Sequence, residues 1–354
     1  MYEIDFLPVG NSNGDAICVR HGNDRDGYYL HVIDGGYTDT ADTIIRHIET
    51  HYGADYFINN MVLSHADNDH AMGLIGVMER FEVKHLWMNR PWLYAADVLP
   101  HMHGNYTLEG LIGKIREMHP YLVDLERLAV KQGTEIHDVF QGDVVGPFTV
   151  LAPSRQRYID LLPDLDKTPT SYRADATAKI GDLLKSLADA ARRWLDETWD
   201  IETLSDNPDP TSASNETSVI QYGVIDGQRI LLTGDVGPAG LNEAADYLDR
   251  MGVTQPPNFV QVPHHGSRRN VTPSVLDRLL GPKVTNGYRQ GTAFVSVGRD
   301  KSEYPRGQVK NAFQRRGYPV HATRDETKTH FHGRELRPGW VVSAPEPFAE
   351  KVEV

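Results

Sequence analysis

Cysteine is nearly absent from this sequence of 354 residues. Cys18 has no partner for an internal disulfide and stands apart from other candidate metal ligands, so we predict a core position for it. Long apolar runs are absent too, since no stretch approaches the roughly 18 residues that span a membrane. Residues 1–5 lack the basic and apolar regions of a signal peptide. These absences exclude a disulfide-rich scaffold and predict a soluble, cytoplasmic protein with no membrane partner.

Positive charge is scarce relative to negative charge. Lys and Arg number 36 against 49 Asp and Glu, and the net charge of −13 disfavours attraction of nucleic acid over the whole surface. The positive residues that are present concentrate in the last quarter of the chain, where they form either a local basic groove or a solvated face. This group comprises Arg268, Arg269, Arg289, Arg299, Lys301, Arg306, Lys310, Arg315 and Arg316.

The hydrophobic pattern divides most of the chain into strands and helices. The spacing of apolar residues predicts one helix that begins at residue 39 and another that begins at residue 71. The predicted strands are residues 2–9, 16–20, 28–33, 57–63, 83–88, 144–151, 218–224, 229–233 and 259–263. Strands, helices, more strands and further helices in this order predict two sheets between helical layers, with ligands bound by loops at one edge.

Two segments interrupt this pattern. Residues 91–131 are mostly helical in period, and residues 155–216 change character, with an amphipathic helix predicted at 176–199 and a loop at 205–212. We interpret the chain as one domain, 1–354, with helical insertions at 91–131 and 155–216.

The loop at residues 64–70 has the strongest chemical signal. It places His65, Asp67, Asp69 and His70 directly after an apolar run, and such a crowded group favours divalent cations between its side chains. A solvated polar loop with incidental histidines is the alternative. The helix predicted after the loop would direct its positive N-terminus toward an anionic substrate.

Three other strand ends carry similar chemistry. Asp235 follows residues 230–234, although alone it could be a turn aspartate, and Asp34 ends another strand in a structural or supporting position. His264 and His265 follow residues 259–263. Adjacent histidines on an extended backbone point in opposite directions, so we predict that one binds metal while the other hydrogen-bonds elsewhere.

Taken in order along the chain, these segments resemble the metallo-β-lactamase fold, in particular the branch related to the C-terminal hydrolase domain of the DNA-uptake protein ComEC. The segments that carry the resemblance, which covers nearly the whole chain, are residues 9–16, 33–36, 63–70, 215–218, 232–235 and 262–267. The resemblance implies an α+β fold, a four-layer αββα sandwich, with a metal centre that usually holds two ions.

The resemblance also implies a division of ligands. Asp235 would bridge the two ions, His65 and Asp67 would serve one, and Asp69 and His70 would serve the other with one of the two adjacent histidines. We assign His264 as that ligand and keep His265 for catalysis. Zn²⁺ is the first expectation, and Mn²⁺ competes because Asp67 replaces a histidine common in the superfamily.

The sequence departs from the family pattern in two further places. No isolated histidine precedes Asp235 at the usual intermediate ligand position, where residues 215–218 stand instead, so one site is predicted to be weak or empty. Tyr304 replaces a histidine common in the branch. The pairs His101 with His103 and His330 with His332 could supply the missing ligand, although we interpret them as loop histidines.

The predicted function is hydrolysis assisted by two divalent metal ions, with a phosphodiester in nucleic acid as the leading substrate. Asp69 would orient the attacking water and His265 would assist the leaving oxygen. Supporting or substrate roles are predicted for Asp34, Asn215, Ser218, Ser267 and Tyr304. The alternatives are hydrolysis of a small ester or phosphoester, and a metal-binding sensor that works with a protein partner.

Overall fold

The computed structural model describes residues 1–53, 57–102, 105–165 and 194–353. Two seven-stranded sheets and the helices packed on them account for most of this part of the chain. One apolar cluster joins the facing surfaces of the two sheets, for example Phe6 and Ile17 of the first with Phe259 of the second. Separate clusters join each sheet to its own helices. The predicted αββα arrangement is confirmed.

The first sheet has the order β15-β1-β2-β3-β4-β5-β6. Its strands are β1 (Tyr2–Phe6), β2 (Ala16–Asn23), β3 (Gly27–Gly35), β4 (Ile58–Val62), β5 (Val83–Trp87), β6 (Glu135–His137) and β15 (Lys328–His332). Strands β15, β1, β2 and β3 are antiparallel neighbours, whereas β3 through β6 run parallel. The predicted strand meander at the start of the chain is confirmed.

The second sheet has the order β14-β13-β12-β11-β10-β8-β7. Its strands are β7 (Val144–Val145), β8 (Phe148–Ala152), β10 (Ile220–Ile225), β11 (Gln228–Leu232), β12 (Phe259–Gln261), β13 (Thr292–Val295) and β14 (Val320–Ala322). Strands β11 through β14 are parallel. A separate two-stranded sheet pairs β9 (Trp194–Asp196) with β16 (Lys351–Glu353).

The helices cover the outer faces of both sheets. The α-helices of the described residues are α1 (Thr40–His51), α2 (Asn68–Arg80), α3 (Ala95–Val98), α4 (Leu108–Met118), α5 (Pro120–Gln132), α6 (Arg155–Leu161), α7 (Ala213–Glu216), α8 (Pro238–Arg250), α9 (Pro273–Leu280) and α10 (Gly307–Arg315). Short 3-10 turns occur at Pro91–Tyr94, Leu99–His101, Leu162–Asp164 and Pro263–Gly266. None of the helices in the described ranges is both long and apolar enough to cross a bilayer.

The carboxyl ends of the parallel strands position the chemically distinctive loops. Asp34 lies next to the last residue of β3, and Asp235 and the histidine pair follow β11 and β12. Residues 64–67 follow β4 and lead into α2, so Asp69 and His70 lie in the first turn of this helix and not in the predicted loop. Close backbone contact holds α2 against the end of β3: a Cβ on Gly73 would lie 1.9 Å from the carbonyl oxygen of Gly35. A side chain at residue 73 would therefore push the N-terminus of α2 away from this sheet edge.

The segment at 155–216 differs in part from its prediction. Most of the helix predicted at 176–199 lies outside the described residues, but its last part is wrong, because Trp194–Asp196 forms strand β9. Pairing with β16 satisfies the backbone of this segment, and its three side chains are exposed. The loop predicted at 205–212 and the core position of Cys18 are confirmed. The division into one domain with two insertions stays a prediction.

Candidate metal centre

Four buried polar atoms converge without hydrogen-bond partners among the described residues. They are Nε2 of His65, His70 and His265 and Oδ1 of Asp235. Ligand atoms of His65, His70 and Asp235 all lie within 4.8 Å of one another. An unpaired buried donor or acceptor costs about 1–3 kcal/mol, so a cluster of such atoms indicates a missing partner.

The separations inside the cluster suit cation ligands better than hydrogen bonds. Oδ2 of Asp235 lies 3.4 Å from His70 Nε2, 3.5 Å from His265 Nε2 and 3.7 Å from His264 Nε2. Two ligands of one tetrahedral Zn²⁺ lie roughly 3.3 Å apart when each bond is about 2.0–2.1 Å. The imidazoles therefore surround Asp235 at distances that a shared cation would set.

Asp34 fixes the orientation of His70. Its Oδ2 lies 2.7 Å from His70 Nδ1, and its two oxygens accept hydrogen bonds from the backbone N–H and hydroxyl of Ser64. Burial lowers the pKa of His70, but Asp235 and Asp34 outweigh that effect and raise the pKa well above its usual value. The predicted supporting place of Asp34 matches this geometry, in which a carboxylate holds the imidazole through its far nitrogen.

His65 and Asp67 lie together at the start of α2. Asp67 Oδ2 is 3.5 Å from His65 Nε2, and Oδ1 accepts a hydrogen bond of 2.6 Å from Ser214. Burial raises the pKa of Asp67, but the hydrogen bond and charge of His65 and the Ser214 hydroxyl outweigh it and hold the pKa below its usual range. This carboxylate is therefore ionised at neutral pH.

The backbone predicted for the histidine pair is wrong. His264 and His265 have φ of 48° and 57° and occupy a tight turn, not an extended strand. The turn lies against the Asp235 loop because the N–H of His264 donates to the carbonyl of Gly234 over 3.2 Å. As a result, both Nε2 atoms face Asp235, and neither histidine points away from the cluster.

Each ring of the pair is held through its Nδ1 atom. His265 Nδ1 lies 2.9 Å from the carbonyl oxygen of Ser296, which assigns the proton to Nδ1 and leaves Nε2 free to bind a cation. His264 Nδ1 lies 2.9 Å from Asn215 Nδ2 and 3.1 Å from Asn270 Oδ1. Burial lowers the pKa of His264, Asp235 raises it, and the neighbouring histidines lower it further.

The remaining predicted residues divide into two groups. Ser218 Oγ accepts from the Asp235 backbone N–H over 3.2 Å, so it positions the central carboxylate, and Asp69 has a ligand atom within 4.8 Å of ligand atoms of His70 and His265. Ser267 contacts the site only through its backbone, since its N–H donates to the His264 carbonyl over 2.9 Å while its Oγ accepts from another backbone N–H. The Tyr304 ring packs under the guanidinium of Arg306.

Sequence reasoning missed Asp15 and its partner. Asp15 Oδ2 accepts from Gln261 Nε2 over 3.0 Å, and its ligand atoms group with those of Asp34 and His70. Burial raises the pKa of Asp15 to about 6, although the charges of His265 and His70 lower it. The glycine at residue 14 was the available signal, since a Cβ there would lie 2.7 Å from the carbonyl oxygen of Asp69.

Neither alternative for the basic group, a groove or a solvated face, holds for Arg315 and Arg316. Arg315 and Arg316 are fully buried and pair with Glu197 at 3.2 Å and Glu202 at 2.9 Å. Other members of the group are also neutralised locally, as in the 2.9 Å ion pair of Arg306 with Glu353. These charges stabilise the packing of α10 and are not available to a phosphate backbone.

The described members of the two spaced histidine pairs do not complete the centre. His101 is exposed at the end of a 3-10 turn, and His103 lies outside the described residues. His330 and His332 belong to strand β15 and so are not loop histidines, and His330 stacks on Phe259 at 4.7 Å between ring centroids. No ligand grouping in the described ranges includes His101, His330 or His332.

A family model for the metallo-β-lactamase superfamily matches residues 16–284. The chain belongs to this superfamily. Its members are metal-dependent hydrolases that bind divalent metals, usually zinc, and the unpartnered buried nitrogens and carboxylate oxygen described above fit such ions.

The solved structures that are similar to this chain have low sequence identity to it. A metal-dependent hydrolase of the β-lactamase superfamily is 12% identical, with a TM-score of 0.43 over 94% of this chain and 100% of that one. A long form RNase Z from yeast is 12% identical, with a TM-score of 0.38 over 83% of this chain and 36% of that one. A motif mutant of a metallo-β-lactamase from Cronobacter sakazakii is 12% identical, with a TM-score of 0.32 over 71% and 74%. No curated protein sequence matches the chain.

Proposed function

We propose that this metallo-β-lactamase superfamily hydrolase is a phosphodiesterase of the ComEC-like branch, with two divalent metal ions and nucleic acid as its substrate. The convergence of three unpartnered imidazole nitrogens on Asp235 is the observation that carries the proposal. Buried nitrogens in this arrangement need a cation, and two cations suit the chemistry of a charged phosphoryl group.

The ligand assignment that we propose uses both members of the histidine pair. Asp69, His70 and His265 form one set, because their ligand atoms lie within 4.8 Å of one another. His264 joins His65 and Asp67 in the other set, and Asp235 bridges the two. In this assignment His265 is a metal ligand, and not the residue that assists the leaving oxygen as predicted from the sequence.

To replace the usual intermediate histidine, His264 needs an Nε2 atom without a proton. Its Nδ1 lies 3.1 Å from Asn270 Oδ1, an acceptor that holds the ring proton on Nδ1 and leaves Nε2 available to a cation. We infer that Asn270 orients His264 toward the ligand position that lacks the usual histidine. This assignment favours an enzyme over a metal-binding sensor.

The donor atoms indicate which metals to test. All of the proposed ligands are imidazole nitrogens or carboxylate oxygens, and Cys18 is buried elsewhere in the core. Imidazole favours Zn²⁺, whereas Asp67, Asp69 and Asp235 add hard oxygen donors that suit Mn²⁺. We propose Zn²⁺ as the resident metal and Mn²⁺ as a competent substitute.

The chain's own residues would prepare the reaction around these ions. When bound, the two ions supply a water of near-neutral pKa and neutralise charge on the phosphoryl group. Asp69 lies in the first turn of α2, and we propose that its carboxylate orients the nucleophile and accepts its proton. The positive N-terminal end of α2 lies at the same place and favours an anionic substrate.

A small phosphodiester or phosphoester is the second candidate substrate. Burial of Arg315 and Arg316 removes the charge pattern that supported a nucleic-acid groove. Tyr158 and Leu165, which belong to the segment predicted as an insertion, lie beside His65. A wall on this side of the centre would favour a small substrate over a continuous strand.

The test uses the full chain, freed of metal and reloaded with Zn²⁺ or Mn²⁺. Single-stranded DNA, duplex DNA, RNA and bis(p-nitrophenyl) phosphate are offered in parallel to the wild type, Asp69→Ala, Asp235→Asn and the matched exposed control Asp124→Asn. We expect cleavage of nucleic acid by the wild type and Asp124→Asn alone. Activity that survives in both site variants would refute the metal centre, and activity confined to the small diester would refute the nucleic-acid assignment.

A further inference from the structure

A second cluster of metal-binding side chains lies at the open edge of the first sheet. His85 belongs to β5, and Glu135 and His137 belong to β6, the last strand of the sheet. Leu86 and Ile136, which alternate with these side chains, pack into the layer between sheet and helices. The cluster therefore occupies the opposite face of the two strands, and it shares no residue with the proposed dinuclear centre.

The three ligand atoms are already spaced for a single ion. His85 Nδ1 lies 3.1 Å from His137 Nε2 and 3.3 Å from Glu135 Oε2, and the remaining separation, from His137 Nε2 to Glu135 Oε2, is 3.6 Å. Tetrahedral Zn²⁺ with bonds of about 2.0–2.1 Å requires separations of roughly 3.3 Å. Two imidazoles and one carboxylate at these distances form three corners of such a site.

Neighbouring aromatic packing restricts how the rings can turn. The Trp87 ring stacks on His137 with 4.3 Å between centroids and 24° between planes. Trp87 is itself anchored, because its Nε1 donates to Asn60 Oδ1 over 2.8 Å. His137 is therefore held in its ligand orientation by contacts other than a hydrogen bond to His85.

The cluster is also accessible from solution. The side chains of His85, His137 and Glu135 are 24%, 33% and 64% exposed, which leaves the fourth corner open to water.

We propose that His85, Glu135 and His137 bind one Zn²⁺ with a water as the fourth ligand. The ion would join the three-residue edge strand β6 to β5 by side-chain bonds, in addition to the parallel backbone ladder between them. Such a site stabilises the folded chain by mass action, because the unfolded chain does not hold the three ligands together.

The experiment titrates metal-free full-length protein with Zn²⁺ alone and counts bound equivalents by calorimetry and elemental analysis. In an Asp235→Asn background, which weakens the dinuclear centre, we expect the edge site to persist as one equivalent. Adding His137→Gln should remove that equivalent and the Zn²⁺-dependent rise in Tm, whereas the exposed control His101→Gln should change neither. Glu135→Gln should lower the affinity of the edge site for Zn²⁺ but not abolish binding, because both imidazoles remain.

Two outcomes would overturn the proposal. The stoichiometry could be the same in Asp235→Asn with and without His137→Gln, or His137→Gln alone could bind as many equivalents of Zn²⁺ as the wild type. Far-UV circular dichroism and the metal-free Tm check that His137→Gln still folds, and His85→Gln provides an independent second variant. If Asp235→Asn binds as much Zn²⁺ as the wild type, the dinuclear assignment fails while the edge site is still tested by His137→Gln.

Discussion

Two regions of this chain bury several ionisable side chains, but only one of them provides its own counter-charges. Beneath the C-terminal segment, Glu3 and Asp5 on β1 are fully buried, and both pair with Arg337, at 2.7 Å and 2.6 Å. Arg20 adds a second guanidinium to Glu3, and His47 lies 2.9 Å from Asp5. At the metal centre, in contrast, imidazole nitrogens face Asp235 and no guanidinium or ammonium ion pair to that carboxylate occurs in the described residues.

The contrast teaches how a missing cation can be inferred from side chains alone. Burying a carboxylate costs several kcal/mol unless a partner compensates it. In the Glu3–Asp5 network, arginine is that partner, so the network needs nothing from solution. At Asp235 only histidines are available, and they can either protonate or share a metal ion. Metal removal should therefore affect the centre at Asp235 and not the Glu3–Asp5 network, whereas loss of an arginine should destabilise the network and not the centre.

The largest expected effect is at Asp235. Replacing it with Asn removes the charge that the proposed assignment shares between two ions, and we expect hydrolytic activity to fall by roughly 10³-fold or more, because metal stabilisation of the transition state is worth several kcal/mol. The measurement is kcat/KM on the best substrate of the panel, together with metal content. Chelation of the wild type should produce the same loss of activity. Readdition of Zn²⁺ should restore the chelated wild type but not Asp235→Asn.

Loss of an arginine should break the other region. Arg337→Met leaves Glu3 and Asp5 buried with fewer counter-charges, and removing one partner of a buried pair costs about 3–5 kcal/mol. Urea unfolding of the metal-free chain measures this change in the free energy of unfolding. The matched exposed control is Arg127→Ala, whose pair with Asp124 on one helix turn should contribute at most about 0.5 kcal/mol. If the two substitutions lowered the free energy of unfolding equally, Arg337 would not be a needed counter-charge for Glu3 and Asp5.

The sequence predicted those parts of the metal centre that depend on local pattern, and none of the Glu3–Asp5 network. Strand ends with His65, His70 and Asp235 were recognisable because polar ligands follow apolar runs directly. The turn at His264 was not, because left-handed backbone at a histidine is imposed by packing against the Asp235 loop. The rule that adjacent side chains on an extended strand point in opposite directions therefore gave the wrong orientation for one of the two histidine rings.

Long-range partners were equally invisible. Arg315 was expected on a basic surface, yet its carboxylate partner, Glu197, lies 118 residues earlier in the chain. Asp15 had no flanking histidine to mark it, and its contact with Gln261 spans 246 residues. Composition predicts that charges exist, whereas only the fold determines which charges meet.

Asp34 offers a smaller test of how the metal centre is supported. Asn can adopt the positive φ of 56° found at this residue, so Asp34→Asn removes the charge that faces His70 Nδ1 without forcing a new backbone. We expect metal affinity to fall about 10–100-fold, as is typical when a partner of a ligating histidine is lost. Competition with a chromophoric chelator measures the affinity. An unchanged affinity would show that Asp34 serves only the backbone of Ser64.

The smallest effect should be the part of the pH dependence of stability that Asp5 contributes. Burial raises the pKa of Asp5, but the hydrogen bond and charge of His47 and the charge of Arg337 outweigh it and hold the pKa below its usual range. A depressed carboxyl pKa stabilises the fold above the unfolded value of about 3.9 and loses that contribution as the pH falls.

Below about pH 4, therefore, the free energy of unfolding of the wild type should decrease more steeply than that of Asp5→Asn, by up to about 1.4 kcal/mol per pH unit for one proton. Urea unfolding of metal-free protein between about pH 6 and pH 3 measures both slopes, and parallel slopes would contradict the assignment. Because Asp5 is compensated by Arg337 and His47, the difference between wild type and variant should be the same with and without Zn²⁺ at the upper end of this range. A difference that depends on the metal would mean that the two regions are coupled.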